Sequence, residues 1–253
     1  MFFSLKEAAA NFCAALRFLT IFPLPWRQEE DSSRFRRSVG WFAFLGILLG
    51  GVGALLAWGI TSFAPHAVTA VLLLFYLASV SSFLHFDGVA DSADGLLSAR
   101  SRERSLEIMK DSRVGAMGVS ALLFLLLGKF AALLSIPSAG LPAALFFMPF
   151  AGRCALLFSM GTMPYARKEG GIGALFYSDD MRRHAIIALI LLTVLLCMVY
   201  GSRGLVVLAG ILLGFAFLRR KSILILGGAT GDILGAQCEL AELMTALAVS
   251  FLY

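Results

Sequence analysis

Residues 39–61 read VGWFAFLGILLGGVGALLAWGIT, 23 positions without a charged side chain, directly behind a segment that holds Arg34, Arg36 and Arg37. At about 1.5 Å of rise per residue, a helix of this length crosses the roughly 30 Å hydrocarbon core of a bilayer. Outward from it, apolar runs recur near 67–84, 114–134, 141–162, 184–200 and 204–218, and a last helical stretch falls within 229–253. Of the 253 residues, 59% are hydrophobic, 22 are Phe and only 15% are charged, and the mean hydropathy is +0.87. That composition excludes a soluble domain of ordinary kind. The expected fold is all-α: a polytopic integral membrane helical bundle of about six to seven transmembrane helices. With no repeat and no long linker, residues 1–253 are expected to form a single membrane-embedded domain.

Charge alternates along the connections. Arg27, Arg34, Arg36 and Arg37 precede the first run, Arg100 to Arg113 follow the second, Arg167 to Arg183 the fourth, and Arg219, Arg220 and Lys221 the sixth. The intervening connections carry no basic residue beyond Arg203. Under the positive-inside rule every charge-rich loop then faces the cytoplasm. The net charge of +5 is therefore mostly topological; it points to membrane lipid or a phosphorylated substrate as partner and not to nucleic acid. Residues 4–21 place Leu5, Phe12, Leu16 and Leu19 at helical spacing with polar residues between, which predicts an N-terminal interfacial or partly inserted helix ended by Pro23-Leu-Pro25. No cleavable signal sequence is expected. Cys13, Cys154, Cys197 and Cys238 are widely spaced, so neither a zinc site nor a disulfide framework is indicated.

The capable chemistry sits in three blocks. The first, His85–Gly118, reads HFDGVADSADGLLSARSRERSLEIMKDSRVGAMG and holds six acidic and five basic residues. Asp87, Asp91 and Asp94 fall at i, i+4, i+7, within roughly 60° of one another on a helix, a face that repels itself unless a cation neutralises it. Oxygen-only ligation suits a hard ion such as Mg²⁺. Farther on, Glu103 and Glu107 are as readily explained by surface pairs with neighbouring Arg and Lys. The second block, Gly227-Gly-Ala-Thr-Gly-Asp232, leads into a helix whose Asp232, Glu239 and Glu242 share one face; these acids read either as a functional path or as partners of an arginine on an adjacent helix. The third, Tyr165-Ala-Arg167-Lys168-Glu-Gly-Gly-Ile-Gly173, lies after a span that contains Arg153, and its basic residues are phosphate ligands or topology determinants. A guanidinium inside a span needs an anion, supplied by a carboxylate or by a substrate phosphate. His85 beside the aspartates is a proton acceptor or a hydrogen-bonded support. His66 and His184 read as interfacial, and no arrangement for covalent acyl chemistry is present. Carboxylates, arginines and an opening to the cytoplasm together point to phosphoryl transfer.

The segments HFDGVADSADGL (85–96), EIMKDSRVGAMG (107–118) and GGATGDILGAQCELAE (227–242), with RFLTIFPLP (17–25) and RSVGWFAFLGILLG (37–50), resemble the cobalamin synthase family, whose members are adenosylcobinamide-GDP ribazoletransferases. The resemblance covers nearly the whole chain. It implies attack of α-ribazole, or its 5′-phosphate, on the corrinoid-linked phosphate of adenosylcobinamide-GDP with release of GMP, dependence on Mg²⁺, and residence in the bacterial cytoplasmic membrane. A looser likeness joins Asp91-x2-Asp94-Gly95 and Ala99-Arg100 to the motif of CDP-alcohol phosphotransferases, but one extra residue breaks the register and the downstream half is missing.

Applied to this sequence, the resemblance makes Asp91 and Asp94 metal ligands, and Asp87 a third ligand or the base for the ribazole hydroxyl, with His85 beside it. Asp111 and Arg113 then position metal and phosphate, Arg100, Lys110, Arg153 and Arg167 neutralise the diphosphate, and Asp232 and Glu239 complete a second metal site or bind the ribazole. A rival reading is a transporter coupled through Asp232, Glu239 and Glu242; another is a subunit that anchors other pathway enzymes. A homo-oligomer, or association with other corrinoid-pathway enzymes, is a further expectation.

Overall fold

The computed structural model describes residues 5–22, 28–167 and 169–253, with the side chains of residues 28–32 left aside. Arg27, Lys168 and the Pro23–Pro25 breaker lie outside the described residues. The described chain is helical, with one isolated bridge between Tyr165 and Ala229 and no strand. Eleven α-helices follow in order: α1 Leu5–Leu19, α2 Gln28–Ser38, α3 Phe42–Ile60, α4 His66–Val80, α5 Leu84–Leu97, α6 Arg102–Ile108, α7 Ala116–Ser135, α8 Leu141–Thr162, α9 Met181–Tyr200, α10 Gly204–Leu226 and α11 Gly231–Ser250.

Five helical stretches are long and apolar enough to cross a membrane, and six if α4 and α5 count as one bent span. One of these stretches, Met181–Leu226, runs for 46 residues, twice what a bilayer needs. It is broken at Gly201–Arg203, and α9 and α10 pack against each other, so it forms a hairpin of two crossings. The chain is a polytopic membrane bundle.

At its centre stands α8, which packs on α3, α9 and α11 and is buried over most of its length, whereas α7 is mostly exposed. Glycine permits the closest of these contacts: a Cβ at Gly50 of α3 would collide with the Phe146 carbonyl of α8. Among the outer helices, α1 packs on α2 and α3, off the bundle's side, where the sequence predicts an amphipathic helix.

Two predicted boundaries move. The run 67–84 ends as a helix at Val80, because Ser82 and Phe83 both take left-handed backbone angles (φ 51° and 58°) and turn α5 by 87° from α4. The run 204–218 continues as helix to Leu226 through its basic residues. Arg219 there donates to the carbonyl of Thr162 (3.1 Å), supplying a partner to the end of α8, so these charges sit comfortably on a helix that outlasts its apolar stretch.

Candidate active site

After its 87° turn, α5 runs from the first turns of α11 to the first turn of α7. Gly88 makes the crossing with α11 possible, since a Cβ there would stand 2.6 Å from the Asp232 carbonyl oxygen. At its far end Asp94 accepts hydrogen bonds from the backbone N–H groups of Gly115 (2.7 Å) and Gly118 (2.9 Å), so its carboxylate caps α7 from outside.

The turn GGATGD stops α10 at Gly227 (φ 76°) and starts α11 at Thr230, whose hydroxyl accepts from the Ile233 N–H (3.3 Å) and donates to Asp232 (3.1 Å). The 163–167 strand-like segment is clamped to this turn by backbone bonds between Ala229 and both Pro164 and Ala166, each 2.8 Å. Arg102 fastens both pieces, donating to the carbonyls of Leu226 and Ala166 at 2.7 Å each. Arg167 is thereby carried to Asp232, with 2.8 Å between guanidinium and carboxylate, while its Nε is buried without a hydrogen-bond partner.

His85, Asp87, Tyr165, Arg167 and Asp232 line one end of a cavity of about 350 Å³. Its other end is apolar, built from Phe18 of α1, Phe42 of α3, Leu156 and Met160 of α8, and Phe176, whose ring stands 4.6 Å from that of Phe18. Asp91 lies a turn beyond Asp87. Burial, and then the neighbouring Asp87, Asp232 and Asp94, push its carboxyl up to about 7, with Arg167 opposing. Asp91 thus feels three other carboxylates and one guanidinium, and carboxylate oxygens are the kind of ligand a hard divalent cation takes. Among the described residues, no three acidic, His or Cys side chains stand as a ready-made metal cage.

The remaining expected site residues lie elsewhere. Asp111 and Arg113 pair with each other at the surface (2.6 and 3.0 Å), which holds the Asp111 carboxyl down at about 2. Lys110 faces Glu169 at 3.6 Å, both exposed, and Arg100 is exposed at the break between α5 and α6. Arg153 and Glu239 are inside the bundle, below the cavity. Arg153 donates to Glu242 (3.0 Å) and to the Ser81 hydroxyl (2.6 Å), and Lys129 bridges Glu239 (2.6 Å) and Glu242 (2.7 Å). Two cations and two anions, all at most 3% exposed, make a neutral network. Of the two ways to partner Arg153, the carboxylate is the one the fold uses. His85 joins the network loosely, its Nδ1 3.8 Å from Glu239.

Sequence reasoning passed over Lys129 and the cavity's aromatic wall, and read Arg102 as part of a solvated, surface-paired segment where the fold uses it as a clamp. Lys129 had a signal, a lone cation in the apolar run of α7. Phe18, Phe42 and Phe176 had none, being three of 22 Phe.

A family model described as cobalamin-5-phosphate synthase matches residues 11–250. A Syntrophobacter fumaroxidans protein named adenosylcobinamide-GDP ribazoletransferase is 38% identical over 249 residues, covering 96% of this chain and 99% of its own. Proteins of the same name from Acetivibrio thermocellus (36% over 226 residues, 89% of this chain and 91% of its own) and Desulforamulus reducens (39% over 229 residues, 90% and 91%) are also similar. No solved structure matches the chain. A match of this extent, on a bundle that assembles the Asp-rich and GGATGD segments around one cavity, means that the chain belongs to the cobalamin-5-phosphate synthase family.

Proposed function

We propose that the protein transfers the adenosylcobinamide-phosphate moiety of adenosylcobinamide-GDP to α-ribazole or its 5′-phosphate, with release of GMP, at an Asp-rich site on the cytoplasmic side of the bacterial inner membrane. The observation that carries this reading is the two-ended cavity, with Asp87, Asp232 and Arg167 at one end and an apolar, aromatic wall at the other. At the first end Arg167 complements a diphosphate directly and the carboxylates would do so only through a bound divalent cation, while the second end offers a flat heterocyclic base an apolar surface. At about 350 Å³ the cavity takes a nucleoside and leaves a corrin ring outside.

In the reaction the ribazole hydroxyl oxygen bonds to the corrinoid-linked phosphorus, and the bond from that phosphorus to the oxygen of the leaving GMP breaks. Asp87 accepts the hydroxyl proton, with His85 beside it. Arg167 offers its guanidinium to a phosphate oxygen and keeps its place through Asp232. The apolar wall keeps water from competing with the ribazole hydroxyl. Mg²⁺ fits the site, because this ion usually takes one or two carboxylates and completes its shell with water and substrate phosphates, so the absence of a three-ligand cage is no obstacle. Asp91 and Asp94 would hold it, which leaves Asp87 to the proton, and when bound it neutralises charge that develops on the diphosphate.

The test uses purified protein in nanodiscs with adenosylcobinamide-GDP, α-ribazole and Mg²⁺. GMP and a joined corrinoid product should appear together, and both should vanish with chelator or with Asp91→Asn. Uptake into liposomes without a new covalent product would instead mark a transporter, a reading that gains nothing from Glu239 and Glu242, already neutralised by Lys129 and Arg153.

A further inference from the structure

A second cavity, of about 590 Å³, shares no lining residue with the first. It lies between the N-terminal helices and the start of α9. Its wall comprises Arg36 and Arg37 at the end of α2, Trp41, Asn11 of α1, and Asp180, Arg183 and His184 at the head of α9. Among the described residues, the exposed guanidinium groups of Arg36 and Arg183 share this wall with the single carboxylate of Asp180. Asn11 is only 4% exposed, yet its side-chain oxygen has no hydrogen-bond partner among the described residues. A buried acceptor without a donor costs free energy, so the position suits a ligand that brings a hydroxyl.

The surroundings are those of a membrane boundary. Trp41 packs edge-on against Phe12 (5.5 Å) and Phe44 (5.9 Å), and Phe44 is half exposed toward the apolar flank of α3. On α9, Ile187 lines the cavity, and Ile190 continues the same face one turn farther; both are more than half exposed. An indole at the rim, cations above it and exposed isoleucines below reproduce the order of headgroup and acyl chain in a leaflet.

We infer that this cavity binds an anionic phospholipid whose headgroup carries hydroxyls, of the phosphatidylglycerol type. The phosphate lies between Arg36 and Arg183, a headgroup hydroxyl donates to Asn11, and an acyl chain runs over Ile187 and Ile190. The lipid clamps α1 and α2 to α9. Because α1 also supplies Phe18 to the catalytic cavity, the bilayer's composition bears on the seat of that wall.

The experiment is native mass spectrometry of the whole protein in detergent, offered equal amounts of phosphatidylglycerol, phosphatidylmethanol and phosphatidylcholine. One phosphatidylglycerol per chain should be retained about tenfold over phosphatidylcholine, and also above phosphatidylmethanol, which has the same charge and no headgroup hydroxyl. The double variant Arg36→Gln/Arg183→Gln, both exposed positions, should melt as the wild type does and lose the preference. Equal retention of phosphatidylglycerol with either other lipid, or an unchanged preference in the double variant, would overturn the proposal. Displacement of the lipid by millimolar inorganic phosphate would also overturn it, since the site would then serve a free anion.

Discussion

Asp91 shows what holding like charges together does to one residue. Its carboxyl is raised from 3.8 to about 7 by burial and by Asp87, Asp232 and Asp94. A carboxyl that binds its proton more tightly in the fold than in the unfolded chain makes the fold lose stability as pH rises from about 4 through 7. Asp91→Asn removes that loss. In chelator at pH 8 the variant is expected to melt at a higher temperature than the wild type, the gap closing as pH falls toward 4, while GMP release is abolished; a lower melting temperature at pH 8 would contradict the electrostatic account. The opposite case is Lys129. Lys129→Met leaves Glu239 and Glu242 buried with one cation between them, and should cost about 3–5 kcal/mol. Thermal melting checks it, and Lys129→Met/Glu239→Gln should recover part of the loss because it removes the surplus anion.

Among elements, the decisive one is α5, fixed at three places. Arg153 holds its approach through the Ser81 hydroxyl, Gly88 lets it touch α11, and Asp94 ties it to α7. A Cβ at position 88 forces α5 and α11 apart where Asp87 and Asp232 share the cavity. With about 1 Å of misplacement, Gly88→Ala should lower kcat/KM about 100-fold in a protein that still folds. Left-handed Ser82 offers a change of the other sign, since glycine adopts φ 51° freely. Ser82→Gly should stabilise the protein by up to about 1 kcal/mol, read as a rise in melting temperature.

At the scale of the whole molecule, the alternation of basic loops predicts that the α5–α6 break and the α7–α8 connection face opposite sides of the membrane. In a cysteine-free background, a membrane-impermeant thiol reagent should label Ser101→Cys in inverted vesicles and Ser138→Cys in spheroplasts; the reverse pattern would turn the site outward. The helices themselves were legible in the sequence, because span length and apolar run are set by the solvent and need no partner. Asp87, Asp91 and Asp232 were legible as candidates, because charge stands there beside apolar runs that penalise it. What the sequence by itself determined, then, was the class of fold, the number of crossings to within one, and the two acidic segments that meet. Only the tertiary structure decided that Arg153 and Glu239 belong to a neutral buried network, that Asp111 and Arg113 satisfy each other at the surface, and that Phe18, Phe42 and Phe176 form one wall. Each of those outcomes depends on which helix lies opposite, a long-range pairing that local spacing does not encode.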